Sequence, residues 1–321
     1  MIISSHASVE IDRPTAAMIV SPHAFAQIAR EMLQLPVGDK QYSEKRERRE
    51  FRAAFGSSFE TISTLWTRLR PKERISNRAK PHHLLWTFIY FKVHTSEPLM
   101  CKIAQCKSCD TFRNWVKKFT YATAALESEV IVWANRFINW DPKSPATVSV
   151  DGTDTWIQEP WPRSRIWWSH KLNHAGLRYE ICCCIQTGDI VSINGPFPGN
   201  MSDREIFDLG LSLQLMPGEL VEADNGYNGR VQIQTAAQGP DRASKRQKSK
   251  VRGRQENVNR RLKVFKVMEK FQSTDVAKHA KIARAVAVIV QLSFENGDRL
   301  YPVEYNVKYD TTSYTVQHDS L

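Results

Sequence analysis

The chain has 321 residues, of which 41% are hydrophobic and 10% aromatic, so it is long enough for two domains and a sizeable core and is not of the disordered class. Its formal net charge is +11 and its pI is about 9.4. This excess of positive charge favours an anionic partner, with nucleic acid as the first candidate.

Cysteine usage and the N-terminus indicate the compartment. Three of the six cysteines are adjacent inside an apolar run, which argues against a disulfide framework and for a reducing environment. The first twenty residues lack the basic start and the continuous apolar stretch of a signal peptide. The longest apolar stretch, Ala285 to Val290, is too short to span a bilayer. We therefore expect a soluble protein of the nucleus or cytoplasm.

The N-terminal part of the sequence is expected to be helical after a poorly patterned start. Residues 1–42 show weak periodicity and scattered prolines and are predicted to be a loosely ordered lead. Residues 43–140 have a helical pattern. The segment 43–55 alternates charges and predicts a solvated helix, and 81–93 predicts an apolar helix with proline at its start.

Two short helices within this region are predicted to form a helix-turn-helix. They cover 98–106 and 109–119 and are joined by the short connection "CKSCD". Apolar residues of the second helix recur at i, i+3, i+4 and i+7, which leaves Arg113, Lys117 and Lys118 on other faces. These three residues are predicted to contact DNA. An ordinary helical subdomain is the alternative.

Three cysteines lie in the same segment. Cys101, Cys106 and Cys109, together with His94, could indicate a zinc site. Their C-x4-C-x2-C spacing is irregular, and the interpretation as small buried thiols is favoured.

After a proline-bounded linker at 141–145 the pattern changes to that of an α/β domain. Apolar and polar residues alternate with a period of two in the first strand, which ends in Asp-Gly. The predicted order is strand 146–154, a hairpin of strands 177–185 and 190–197, helix 202–215, strand 219–224, a basic loop, helix 254–271 and a buried helix 277–294.

Three carboxylates occupy informative positions in this order. Asp151 and Asp224 lie at or near strand ends, and Glu256 lies in the first turn of a predicted helix. Two-metal phosphoryl-transfer sites need such oxygen ligands on rigid elements, because Mg²⁺ is a hard cation. On its own residues, Asp224 could equally be satisfying backbone groups of the turn "NGYNG".

The sequence resembles the DDE-type transposases of the Harbinger kind, a eukaryotic superfamily related to bacterial insertion-sequence transposases. Five blocks carry the resemblance, in the family order and across about residues 145–295: "SVDGTD", "WWSHKLNHAGLRYEI", "TGDIVSINGPFPGNMSD", "GELVEADNGYNG" and "RGRQENVNRRLKVF". The helical segment before them resembles that family's helix-turn-helix region more loosely. His170 and Lys171 match its Ser-His-Lys block, which implies a place near the site without assigning a role.

The resemblance implies a domain layout and an activity. A ribonuclease H-like α/β catalytic domain is expected at 141–300, after the helical region at 43–140 and before a tail at 301–321. Asp151, Asp224 and Glu256 are implied to be the catalytic triad and the ligands of two Mg²⁺ or Mn²⁺ ions. The implied reaction is DNA cleavage followed by strand transfer from the freed 3′-hydroxyl. The implied partners are transposon ends, target DNA, further copies of the chain and a separate DNA-binding protein.

Two other segments suggest contacts with DNA. The segment 242–254 has seven basic residues and no acidic one, and Lys245, Arg246, Lys248 and Lys250 are predicted to meet phosphates beside the site. A solvated loop or a nuclear address is the alternative. The tryptophan-rich segment 155–171 is expected to pack a long loop against the core, with stacking on unpaired bases as the alternative.

The triad leaves two rival functions and two spare carboxylates. A domesticated DNA-binding protein without catalysis is one rival, and a simple metal-dependent nuclease without strand transfer is the other. The spare carboxylates are Glu222 and Glu269, and Glu222, two residues before Asp224, shares its face of an extended strand and could be a secondary ligand. Asp154 lies near Asp151 in the following loop, and Glu222 and Asp154 are both interpreted as bystanders. No glycine-rich phosphate loop of the Lys-Ser/Thr type is present, so ATP use is not expected.

Overall fold

The computed structural model describes residues 19–34, 44–70, 75–235 and 241–307. The longer helices are α1 Pro22–Leu33, α2 Glu44–Phe55, α3 Phe59–Leu69, α4 Pro81–Val93, α5 Glu97–Ile103, α6 Cys109–Ala124, α7 Glu127–Val130, α8 Asp203–Leu209, α9 Arg242–Lys263 and α10 Val276–Glu295. The strands are β1 Ala146–Ile157, β2 Trp168–Ser169, β3 His174–Cys184, β4 Ile190–Pro198, β5 Leu220–Ala223, β6 Ile233–Thr235 and β7 Lys270–Phe271.

Helix α1 corrects the expectation of a loosely ordered lead. The Ser21 side chain caps the helix by accepting the Ala24 N–H at 3.2 Å, and Pro22 occupies the first turn, where its missing donor does no harm. Phe25 and Ala29 lie one turn apart on the buried face. One of the scattered prolines, Pro22, therefore lies at a helix start. The predicted lead at 1–42 contains α1, a helix that packs in the core. Residues 1–18 and 35–42 lie outside the described ranges.

The predicted helices between 43 and 140 are present as α2, α4, α5 and α6. Helix α4 is the centre of this region, because it is buried continuously from His83 to Phe91 and packs against α1, α2 and α6. Helix α3 lies between the predicted helices at 43–55 and 81–93, and its N-cap is the Ser58 hydroxyl, which accepts the Thr61 N–H at 3.2 Å.

The sheet is mixed, and β1 is its centre. The spatial order is β4-β3-β1-β5-β6, with β3 antiparallel to β1, β4 antiparallel to β3, and β5 and β6 parallel to β1. The short strands β2 and β7 extend the edges of β3 and β1. This arrangement of an antiparallel hairpin beside parallel strands confirms the α/β class and the ribonuclease H-like sheet.

The side chains of β1 point alternately to the two faces of the sheet. Val148 and Val150 point to a small apolar core that α8 covers. Ser149 and Asp151 point to the opposite face, where the Ser149 hydroxyl donates to Gln255 of α9 at 2.8 Å. The period of two thus places an acidic side chain on the side covered by α9.

Helix α9 begins earlier and ends earlier than predicted. It starts at Arg242, where the Asp241 carboxylate accepts the Ser244 N–H at 2.7 Å, so the predicted basic loop is a helix. Long basic side chains and Gln are good helix formers, and one buried stripe runs from Ser244 through Val251 to Leu262. The predicted end at 271 is wrong, because residues 270–271 pair with β1 as β7.

Helix α10 joins the helical region to the sheet. It is buried on most sides, as predicted, and it packs against α3 and α6 on one side and against β4 on the other. The main hydrophobic core therefore runs without a break across the predicted boundary at 140/141. In the described part of the chain, no helix has both the length and the apolar character needed to cross a bilayer.

The C-terminal segment is also partly packed. Val303, Tyr305 and Val307 are buried against Ala146 and Leu220 at the start of β1 and β5. The predicted tail at 301–321 is thus part of the fold as far as residue 307, and residues 308–321 lie outside the described ranges.

Candidate functional site

Asp151 lies in the middle of β1 and is half-buried. One oxygen, Oδ2, accepts a hydrogen bond from Asn259 Nδ2 of α9 at 2.7 Å. The other, Oδ1, accepts the backbone N–H of Gly152 at 2.8 Å. The carboxylate is therefore held against α9 by two neutral donors.

Asp224 follows the last residue of β5 and starts the short helical turn Asn225–Tyr227. Its Oδ1 accepts the Gly226 N–H at 2.8 Å, so the aspartate does satisfy the turn. Because β5 runs parallel to β1, with Val221 opposite Val148, its carboxyl end reaches the part of β1 that carries Asp151. The two aspartates therefore lie on neighbouring strands, as expected.

Glu256 lies on the opposite wall of the same cleft. Asp151, Asp224 and Glu256 all line this cleft, which runs between the middle of β1, the end of β5 and helix α9. The Glu256 side chain is 60% exposed and pairs with Arg252 one turn earlier, at 3.3 Å. Over the described ranges, no three carboxylates have oxygens that all lie within 4.8 Å of one another. The triad shares a cleft but does not converge on a single point.

The electrostatics of the cleft centre on Asp151. Burial raises its pKa from an ordinary value of 3.8 to about 6. The charge of Lys171 lowers this pKa, whereas Asp224 and Asp203 raise it further. A buried carboxylate whose pKa is raised by two neighbouring carboxylates is stabilised by added positive charge, and hard divalent ions take such oxygen donors. The residues present therefore fit a divalent metal.

Asp203, the first residue of α8, belongs to this acidic group and is not among the site residues predicted from the sequence. A Cβ on Gly226 would meet Asp203 Oδ2 at 2.5 Å and Asp224 Oδ1 at 3.0 Å, so the two carboxylates flank the glycine closely. Burial raises the pKa of Asp203, Arg178 lowers it, and Asp224 raises it. The packing of α8 on the sheet brings Asp203 close to Asp224, and the local sequence pattern does not indicate this contact.

Asn259 is the second residue that sequence reasoning missed. It stands three positions after Glu256 on α9, and such a spacing places two residues on one side of a helix. The spacing from Glu256 therefore predicts that Asn259 lies on the same side of α9 and can reach the cleft. Lys171 has an exposed side chain, and its positive charge lowers the pKa of Asp151.

The two carboxylates interpreted as bystanders have partners within the protein. Asp154 is 1% exposed and accepts hydrogen bonds from the Ser169 hydroxyl at 2.6 Å and from Arg178 Nε at 3.3 Å. Glu222 lies 3.2 Å from the Lys248 ammonium and accepts the Tyr305 hydroxyl at 2.5 Å. Both groups are held by partners within the protein, although Glu222 also lines the cleft.

The contacts of Glu222 overturn one predicted DNA contact. Lys248 is fully buried: its side chain reaches inward to Glu222 and donates to the Thr235 carbonyl at 3.1 Å. Burial lowers its pKa, and Glu222 opposes this shift. The prediction that Lys248 meets phosphates is wrong, because on a helix this residue falls on the inward face. Lys245, Arg246 and Lys250 are exposed on the same helix.

The three basic residues predicted on α6 are all exposed. Arg113 is engaged within the protein, with Nη2 at 2.7 Å from Glu97 and Nη1 at 2.7 Å from Asp110. Lys117 and Lys118 lie over the rings of Tyr121 and Trp115. The two lysines are free to reach a ligand on this face, whereas Arg113 would have to leave two carboxylates.

The tryptophan-rich loop is only partly packed. The Trp156 ring lies 4.4 Å from the His174 ring, and Trp167 contacts the main core. Trp161 is 87% exposed and Trp168 is 45% exposed. The expectation that the tryptophans pack the loop therefore holds for two of the four.

Comparisons with known proteins concern the segment that carries the three carboxylates. Residues 150–292 match the family of DDE superfamily endonucleases, a segment that holds Asp151, Asp224 and Glu256. No curated protein gave a significant match. A crystal structure described as a pre-cleavage Mos1 transpososome is similar at 8% identity with a TM-score of 0.25, covering 88% of this chain and 99% of that chain. So low a score supports no conclusion about function.

Proposed function

We propose that the chain is a DDE-type endonuclease of the transposase class, of the Harbinger kind, which cuts DNA phosphodiester bonds with divalent metal ions. The observation that carries the proposal is the pair of carboxylates, Asp151 and Asp224, on adjacent parallel strands that face α9 across one cleft. They lie in the segment that matches the DDE superfamily endonucleases.

Asp151, Asp224 and Glu256 would hold the metal. Bound Mg²⁺ or Mn²⁺, two ions per site, would supply an activated water and neutralise charge on the phosphate. Asn259 orients the Asp151 carboxylate through its 2.7 Å hydrogen bond. Glu256 is paired with Arg252, so it would have to exchange that partner for the ion.

Strand transfer and assembly extend the same proposal. The freed 3′-hydroxyl would attack target DNA in this cleft, and joining two transposon ends would need at least two copies of the chain. Exposed Lys245, Arg246 and Lys250 lie on the helix that forms the cleft wall, where they could contact the substrate backbone. A nuclear location, a separate DNA-binding partner and end recognition by α6 belong to the proposal.

A nicking assay tests it. Supercoiled plasmid with Mg²⁺ or Mn²⁺ should be nicked by the wild-type chain. Asp224→Asn and Glu256→Gln should lose cleavage while they keep DNA binding, because each removes one charged ligand and little volume. Glu269→Gln is the matched control, since Glu269 pairs with Lys266 and does not line the cleft.

The outcomes separate the proposal from its rivals. Wild-type nicking activity in Asp224→Asn would exclude the metal site. A wild-type chain that binds DNA but never cuts it would favour the domesticated DNA-binding protein. That second function is favoured by one observation, namely the pairing of Glu256 with Arg252 instead of convergence on the aspartates. Nicking without joined products would favour a simple nuclease.

A further inference from the structure

A second cluster of metal-ligating side chains lies far along the chain from the acidic cleft, at the turn between α5 and α6. Glu97, Cys101 and Cys109 have ligating atoms that all lie within 4.8 Å of one another. Glu97 and Cys101 share one face of α5 because they are four residues apart, and Cys109 is the first residue of α6. Within the described ranges, no other three His, Cys, Asp or Glu side chains come this close.

We propose that Glu97, Cys101 and Cys109 bind a zinc ion that ties α5 to α6. Two thiolates and one carboxylate form a ligand set that suits zinc, whereas Mg²⁺ and Ca²⁺ take oxygen ligands alone. Three protein ligands leave a fourth position of the tetrahedron open. Both cysteines are free thiols here, so binding would release their protons.

The surroundings of the cluster agree with an ion of charge +2. Two thiolates and one carboxylate around a dication leave a single negative charge, and Arg113, which also pairs with Asp110, supplies a positive one beside it. Arg113 Nη2 lies 2.7 Å from Glu97 Oε1, and its Nε donates to Oε2 at 3.1 Å. Carboxylates that ligate zinc are commonly held by such an outer partner, and each oxygen keeps a lone pair for the metal.

The two sulfur atoms have different surroundings, and burial raises the pKa of the Cys101 thiol. Cys101 is 4% exposed, and Cys109 is partly buried beside it at the start of α6. A helix N-terminus favours a thiolate over a thiol, which assists metal binding at Cys109. The third cysteine of the segment, Cys106, instead donates its thiol to the Ser108 carbonyl at 3.2 Å.

The proposal changes the role of Arg113 and of the cysteines. The sequence favoured buried thiols, and it placed Arg113 among the DNA contacts. In the structure Arg113 is a positioning residue for Glu97, and the ion would fix the angle between the two helices of the predicted helix-turn-helix. This inference is independent of the proposed cleavage function.

Metal titration of the full, reduced chain tests the site. After chelator treatment, the wild-type chain should take up one tight equivalent of Zn²⁺, and Cd²⁺ should give the ultraviolet charge-transfer band of cadmium–thiolate bonds. The double variant Cys101→Ala/Cys109→Ala should lose both signals. Cys106→Ala is the matched control and should keep them, as should Asp224→Asn, which separates this site from the acidic cleft.

Two further variants do not depend on removing cysteines. Glu97→Gln should weaken Zn²⁺ binding while both thiols remain. Arg113→Gln should weaken it about 10- to 100-fold, because Glu97 then has no outer partner to hold it. Lys117→Gln removes the same charge from the next turn of α6 and should leave the affinity unchanged. Circular dichroism of each variant confirms that it is folded.

Three outcomes would overturn the proposal. The first is a wild-type chain that takes up no tight Zn²⁺. The second is a cadmium–thiolate band that survives in the double cysteine variant or disappears in Cys106→Ala. The third is formation of a Cys101–Cys109 disulfide in air with no metal uptake by the reduced chain, which would make the two thiols a redox pair.

Discussion

Replacing Asp151 by Asn should stabilise the metal-free protein, and the gain should increase with pH. Burial raises the pKa of Asp151 to about 6, so ionising this carboxyl costs more free energy in the folded state than in the unfolded chain. The amide has the same shape and no charge. The Asn259 carbonyl oxygen, which is buried without a hydrogen-bond partner, can accept from the introduced amide after a flip of its own side chain.

The expected size follows from the two pKa values. Each pKa unit corresponds to about 1.4 kcal/mol, and the rise from 3.8 to about 6 gives about 3 kcal/mol once both states are ionised. Below the unfolded value of 3.8 both states are protonated, and the contribution of Asp151 to stability is at its highest. It falls as the pH rises through the folded value. The gain from Asp151→Asn is therefore about 0.5 kcal/mol at pH 4, about 1.5 at pH 5 and about 3 at pH 8.

Urea denaturation with EDTA, from pH 5 to pH 8, measures this gain as a difference in the free energy of unfolding. Adding Mg²⁺ at a hundredfold excess over its Kd should then stabilise the wild-type chain by about 3 kcal/mol and leave the variant unchanged. A variant that is no more stable than the wild type at pH 8 would show that ionising Asp151 costs no more free energy in the folded state than in the unfolded chain. A gain that does not depend on pH would refute its electrostatic origin.

Three further sets of substitutions should show which side chains are buried in the fold and which are exposed to a ligand. Lys248→Met should destabilise the fold by about 3–5 kcal/mol in denaturant, because it leaves the Glu222 carboxylate buried without its ammonium partner. Changing Lys245, Arg246 and Lys250 together to Gln should leave stability nearly unchanged. The same triple change should lower the slope of log K against log salt by about 0.9 for each phosphate that the variant no longer neutralises, and an unaltered slope would remove α9 from the DNA surface. Phe25→Ala should cost about 3–5 kcal/mol in the free energy of unfolding, whereas a decrease below about 1 kcal/mol would mean that α1 is not part of the core.

The strands and most helices could be predicted because their patterns are local. Period-two alternation located β1 and the β3–β4 hairpin, and the proline at position 81 marked the start of α4. The basic segment was misassigned because its charges suggested a solvated loop. In a helix, however, most of these charges are exposed to solvent, whereas Lys248 and Arg254 fall on the buried side. Charge count alone does not distinguish these two cases.

The site was predictable only in part. Asp224 is found from its place directly after β5, whereas Asp151 lies in the middle of β1, because this strand continues past the predicted end to Ile157. The parallel pairing of β1 and β5 then brings the two aspartates together. Asp203 could not be found in this way, because its distance from Asp224 depends on how α8 packs on the sheet. The inward turn of Lys248 likewise depends on Glu222, a long-range partner that no helical pattern reveals.

The continuous apolar core around α10 would fix the distance between α6 and the acidic cleft. Helix α10 packs against α6 on one side and against the sheet that carries Asp151 on the other, with no break in the apolar core between them. The two surfaces therefore belong to one rigid frame. Base pairs bound by α6 would therefore lie a fixed number of base pairs away from the phosphate in the acidic cleft. The spacing between the recognised sequence and the cleaved bond would then be set by the protein.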